Sequence, residues 1–193
     1  MKSHPVVLSL MGMAWLILIG AGLAVMAHEE FTPVETLQPV TYFPHGSALH
    51  LASDKPTLFL FAHPHCPCTR ATFDELDQVM AETAGKLSIQ IIFTLPPGVP
   101  PGWEQGDLLK WARSFPGVQV VFDRAGAESR RFDVKGSGHV LVYSPAGRLL
   151  FSGGITSSRG HEGDSPGRSA IVSLVTTGHA RIDRTPVFGC SLL

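Results

Sequence analysis

Cys66-Pro67-Cys68 sets two thiols on either side of a proline, and His63 and His65 stand directly before them. Thiolates are nucleophiles and redox groups, and thiolates together with imidazoles suit soft metals such as copper or zinc. The pair follows a continuous apolar run, residues 57–62. It precedes Phe73, Leu76, Val79 and Met80, spaced as one face of an amphipathic helix with Asp74, Glu75 and Asp77 opposite. Pro67 fits a first helical position, where its missing N–H would be unpaired anyway, so Cys66 is expected as the N-cap. Unpaired N–H groups and the helix dipole there favour a thiolate over a thiol. Cys66 is the expected nucleophile, and Arg70 an expected cation favouring its charge. The second thiol of the reaction is Cys68 or Cys190. A ring closed between Cys66 and Cys68 would be strained and easily reduced, whereas Cys190 lies far off in the tail, residues 187–193. Against this chemistry stands the plain alternative that free cysteines are often small buried packing residues.

A metal reading of the same region uses Cys66 and Cys68 with one of His63, His65 or His139 as ligands. A thiol peroxidase using Cys66 is a further alternative. The loop Arg159-Gly-His161-Glu-Gly-Asp164 either overhangs the thiols or is a solvated connection. Trp103 and Trp111 read as core and rim aromatics of a helix.

The elements that must position these residues alternate along the chain. Short apolar strands are expected at 57–62, 88–94, 118–122 and 139–143, a turn at 144–147, and an antiparallel partner strand at 148–152. Helices are expected after Cys66, at about 104–114, 125–132 and 168–177, the last stopped by Gly178. This order describes an α/β sandwich with one mixed sheet.

Residues 6–27 carry 22 positions without a charge, close to the ~20 a helix needs to cross a bilayer. Lys2 before this run and Glu29, Glu30 and Glu35 after it orient a membrane helix with residues 1–5 cytoplasmic. Val25-Met26-Ala27 offers the competing reading of a signal-peptidase site, although an apolar run this long favours a retained anchor. Residues 28–54, with Pro33, Pro39 and Pro44 and no periodicity, read as a tether, leaving 55–193 as the domain. Either way the domain is expected on the periplasmic or extracellular side, single-pass if the helix is retained. With 3 cysteines, at least one is free, metal-bound or paired elsewhere. The net charge of -1, from 15 basic and 16 acidic residues, offers no footprint for nucleic acid.

Phe61-Ala-His-Pro-His-Cys-Pro-Cys-Thr-Arg70, then Glu75-Leu76, Val121-Phe-Asp123 and Val140-Leu-Val-Tyr-Ser-Pro-Ala-Gly147, resemble the thioredoxin superfamily over about residues 45–178. The likeness is greatest to membrane-anchored TlpA-like thiol–disulfide proteins, with a further likeness to a small exported group labelled RedB. This resemblance implies a thioredoxin-like three-layer α/β/α sandwich with a mixed central sheet, preceded by one transmembrane helix. It implies an oxidoreductase that needs no cofactor and exchanges with exported protein disulfides or thiols, served by a membrane-side electron donor or acceptor. Sco-type copper chaperones, also anchored and thioredoxin-like, imply the alternative of a copper carrier using His63, His65, Cys66, Cys68 and His139. Two departures from the superfamily pattern are plain: Thr69 stands at the second cysteine's place, and Ser137-Gly138-His139 replaces the proline before the fourth strand.

Overall fold

The computed structural model describes residues 4–34 and 40–192, so Lys2 and Glu35, which entered the orientation argument, lie outside the described residues. The chain forms two units, Met1–Thr32 and Pro33–Leu193. The first is a single helix, α1 (His4–Phe31), whose 28 residues rise about 42 Å. It is apolar enough to span a bilayer, and a signal sequence has the same character.

The second unit is built on a five-stranded sheet in the order β3-β2-β1-β4-β5. Strands β1 (Thr57–Ala62), β2 (Ser88–Leu95) and β3 (Gln119–Arg124) run parallel, while β4 (His139–Tyr143) and β5 (Leu149–Gly154) add antiparallel pairs. β1 is central and buried on both faces, which explains why it reads as an unbroken apolar run.

One face of the sheet carries three helices: α2 (Thr69–Thr83), α3 (Asp107–Ser114) and α5 (Pro166–Thr177). Phe73, Leu76 and Val79 of α2 pack there with Leu108 and Leu109 of α3 and Ile171 of α5 against Leu58, Leu60 and Ile91. Burying each such side chain contributes about 1.5–3 kcal/mol. Local signals set the ends of α5. The Ser165 hydroxyl accepts the Arg168 N–H at 3.1 Å, Pro166 opens the first turn, and Gly178 closes the last at φ 80.

The opposite layer is thinner than a three-layer sandwich suggests, with one short helix, α4 (Ala127–Arg131), and irregular chain. Asp123 starts α4 by accepting the N–H groups of Glu128 and Ser129, each at 2.8 Å. The rest of this face is closed by residues assigned in sequence to the tether, and that assignment is corrected: α1 continues to Phe31, and the chain from Pro33 belongs to the domain. Val34 pairs with Val187 and Tyr42 with Arg148. Phe43 stacks within 5.7 Å of Phe59, Phe132 and Tyr143, and Leu49 is 2 % exposed. The Glu128 carboxylate accepts from Ser47 Oγ and the Ala48 N–H, fastening this segment to α4. These apolar residues are scattered without period because they plug gaps over the sheet and form no regular element of their own.

Candidate functional site

The carboxyl end of central β1 delivers the chain to Cys66, at the position where open α/β sheets place their sites. A tight turn forms before α2. The Cys66 N–H donates to the His63 carbonyl at 3.1 Å, and the Thr69 N–H donates to the Cys66 carbonyl at 3.1 Å. Regular α-helix starts only at Thr69, with Cys68 at the cap position in helical conformation. The expected Cys66 N-cap is therefore displaced by two residues, because 66–68 close a short turn of their own.

The tail then brings the third sulfur in. Residues 183–187 lie along β5: the Ser152 N–H donates to the Asp183 carbonyl, and the Gly154 N–H to that of Pro186. A Cβ on Gly153 would stand 2.2 Å from Thr185 Oγ1, so a glycine is required for this approach. Farther on, a Cβ on Gly189 would fall 1.9 Å from the Ser137 carbonyl oxygen, and the Ser137 N–H donates to the Cys190 carbonyl at 2.8 Å. Val187 and Leu192, each 1 % exposed, anchor the segment on both sides of Cys190. As a result the sulfur atoms of Cys66, Cys68 and Cys190 all lie within 4.8 Å of one another.

Burial pushes the Cys66 thiol up, but hydrogen bonds outweigh it and hold this thiol below its ordinary value. They come from the Cys190 thiol and N–H, the Thr69 hydroxyl and the Cys68 N–H. The Thr69 hydroxyl is thus a donor to the Cys66 sulfur. Behind it Thr69 Oγ1 lies 2.9 Å from Ser137 Oγ, which accepts the His63 N–H at 2.9 Å. With Thr69 donating to sulfur, Ser137 donates to Thr69, and the chain of dipoles points at Cys66. Cys68 is raised by burial and by the neighbouring Cys66 charge. Cys190 is pushed up to about 12 by burial, by its hydrogen bond to Cys66 and by the charges of Cys66 and Cys68.

The cation beside the sulfurs is Arg159. Its Nη1 donates to the Gly189 carbonyl at 2.6 Å, and its charge favours the thiolates of Cys68 and Cys190. Arg159 brings the start of the loop 159–164 to the sulfurs. The loop is held by Glu75, which accepts the Gly163 N–H at 2.6 Å and pairs with Arg168 at 3.2 Å. Arg70, the cation expected from sequence, points elsewhere, 3.6 Å from Asp107 on the exposed surface.

The candidate histidines do not join the sulfurs. The His65 ring meets the Trp103 carbonyl at 2.8 Å and stands edge-on to its indole, 4.4 Å between centroids. His63 Nδ1 accepts the His65 N–H at 3.2 Å, and burial, then the His65 charge, lowers the His63 ring below its ordinary value. His139 is buried on β4 with Nε2 2.9 Å from Ser152 Oγ. Trp111 packs on the α2 face as expected, but Trp103 belongs to the imidazole cluster. Beside Cys66 runs a groove of about 250 Å³ lined by His65, Pro67, Arg70, Gly106 and Leu108. Sequence reasoning missed Thr69, Ser137 and Arg159 as functional groups. The only signal pointing to any of them was the arginine in a polar, Gly-rich loop.

The chain has the thioredoxin-like fold, with a three-cysteine cluster at the end of its central strand. No protein-family model and no curated protein matches the chain. Among solved structures it is similar to an uncharacterized conserved protein from Geobacillus kaustophilus, at 16% identity and TM-score 0.58 over 84% of this chain and 92% of that one. It is also similar to a hypothetical protein from Sinorhizobium meliloti 1021, at 15% identity and TM-score 0.59 over 83% and 93%. A putative thiol:disulfide interchange protein DsbE from Chlorobium tepidum aligns more loosely, at 17% identity and TM-score 0.43 over 63% and 84%.

Proposed function

We propose that this protein is a thiol–disulfide oxidoreductase in which Cys66 attacks and Cys190 resolves. The observation that carries the reading is that the tail sets the Cys190 sulfur within 4.8 Å of the Cys66 sulfur, where its thiol and N–H favour the Cys66 thiolate. The Cys66 thiolate attacks one sulfur of a substrate disulfide, forming a mixed disulfide and expelling the other sulfur as a thiolate that takes a proton. Cys66 then no longer carries the charge that adds to burial in holding Cys190 protonated. Cys190 loses its proton and attacks Cys66 Sγ, and the second substrate sulfur leaves as a thiolate. The substrate gains two electrons, the enzyme keeps a Cys66–Cys190 disulfide, and a dithiol donor restores it; run backwards, the same steps oxidise a substrate dithiol. Cys68 is the poorer resolver, because joining it to Cys66 closes a strained ring. Helix α1 supports a membrane-held or exported enzyme, and exported protein thiols and disulfides as its substrates.

The test is trapping. Incubated with a model disulfide substrate, Cys190→Ser accumulates a mixed disulfide on Cys66 that withstands non-reducing electrophoresis, and Cys68→Ser turns over. Accumulation with Cys68→Ser instead would transfer the resolving role to Cys68, and no adduct with either would remove the exchange reading.

A further inference from the structure

Two thiols of the turn before α2 and a third from the tail converge at one point, which exchange chemistry does not require, since it uses two. We propose that the reduced cluster of Cys66, Cys68 and Cys190 is a three-sulfur site for a soft monovalent metal ion, Cu(I). The inference rests on the same sulfurs as the exchange reading but not on exchange itself. Sulfurs bound at about 2.3 Å in a trigonal plane stand about 4.0 Å apart. The three here already lie within 4.8 Å of one another, so closing onto an ion needs shifts of an ångström or less.

The donor set selects the metal. Thiolates favour Cu(I), which three sulfurs in a plane satisfy, whereas structural zinc takes four protein ligands in a tetrahedron. Among the described residues the cluster holds the three cysteines alone, with no imidazole or carboxylate in it. His65 and His139 are occupied with Trp103 and Ser152. The copper set expected from sequence, with a histidine ligand, is therefore replaced by one in which Cys190 takes the histidine's place. Binding of Cu(I) by one thiolate and two thiols releases two protons and leaves a centre of charge about −2, beside which Arg159 places its guanidinium. The tail supports the ligand from behind: Ser137 and Arg159 hold the carbonyls of Cys190 and Gly189, orienting the third sulfur as an outer shell does. A disulfide between any two of the three removes the site, so metal binding and exchange are mutually exclusive states of one cluster.

The experiment uses the full chain in detergent, fully reduced, titrated with Cu(I) against a competing chelator and examined by X-ray absorption. One copper per chain with three sulfur neighbours at about 2.3 Å is expected. Cys190→Ser and Cys68→Ser should each weaken the affinity by more than about a hundredfold, since even loss of an outer-shell partner costs 10–100-fold, while His63→Ala with His65→Ala should leave it within about threefold. An imidazole in the first shell, two sulfur neighbours only, or no copper held against the chelator overturns the site. The absorption result on the unmodified chain stands even if a variant fails to fold. Disulfide exchange measured on the same copper-free preparation separates the two readings: intact exchange without copper binding rejects the metal site alone, and copper binding without exchange rejects the enzyme alone.

Discussion

Oxidising Cys66 and Cys190 to a disulfide should stabilise the folded domain by about 3–5 kcal/mol over its reduced form. The bond would close a loop of roughly 125 residues, and in the chain-entropy picture a loop of that size removes about 5 kcal/mol of freedom from the unfolded chain. Part of the gain is offset, because oxidation removes the hydrogen bonds that Thr69, Cys68 and Cys190 give to the Cys66 thiolate. A bond between Cys66 and Cys68 behaves differently: its three-residue loop offers under about 2 kcal/mol, and ring strain works against even that. Thermal unfolding of oxidised and reduced protein reads the difference, with an expected rise of about 10 °C on oxidation. Equal melting temperatures would contradict a Cys66–Cys190 pair.

Acid should weaken the domain through His139, by about 2.5 kcal/mol between pH 7 and pH 4.5. Burial lowers this imidazole to about 4, against an ordinary value of 6.5, and among the described residues its Nδ1 has no hydrogen-bond partner. Between those two values the unfolded chain binds a proton that the folded one refuses, so stability rises with pH across the window and is lost as pH falls through it. Fully expressed, the gap between 6.5 and about 4 corresponds to about 3.4 kcal/mol. His139→Gln keeps a polar group near Ser152 and cannot titrate there. Denaturant unfolding at pH 7 and pH 4.5 should therefore show an acid loss smaller in the variant by about 2.5 kcal/mol. The same acid loss in both proteins would place the pH sensitivity elsewhere.

How far these properties were legible in the sequence depended on how local their causes are. Strands β1 and β4 are bounded to the residue by their apolar runs, because both are buried on two faces and end at a His-Pro and a Ser-Pro turn. The start of α2 was misplaced for a local reason as well: Pro67 signals a first helical position but sits in the separate turn that precedes the helix. The segment around Phe43 and Leu49 looked like a tether since its apolar residues follow no period, and only the finished aromatic face shows what they cover. Cys190 was legible as a third thiol, but not its distance from Cys66. That distance is set by Gly153, Gly154 and Gly189, which permit backbone contacts between strands and tail that no spacing rule encodes. The exchange of Arg70 for Arg159 has the same origin: proximity in sequence favoured the first, while the folded tail meets the second through the Gly189 carbonyl, next to Cys190.

The central claim, that Cys66 works with the cysteine of the tail, is tested most directly by locating the disulfide formed during turnover. The full chain is oxidised by one equivalent of a substrate disulfide, remaining thiols are blocked with an alkylating reagent, and the protein is digested without reduction for mass spectrometry. The expected product is a peptide containing Cys66 and Cys68 joined to the peptide containing Cys190, with fragmentation placing the bond on Cys66 and the alkyl group on Cys68. A Cys66–Cys68 bond with Cys190 alkylated would contradict the account.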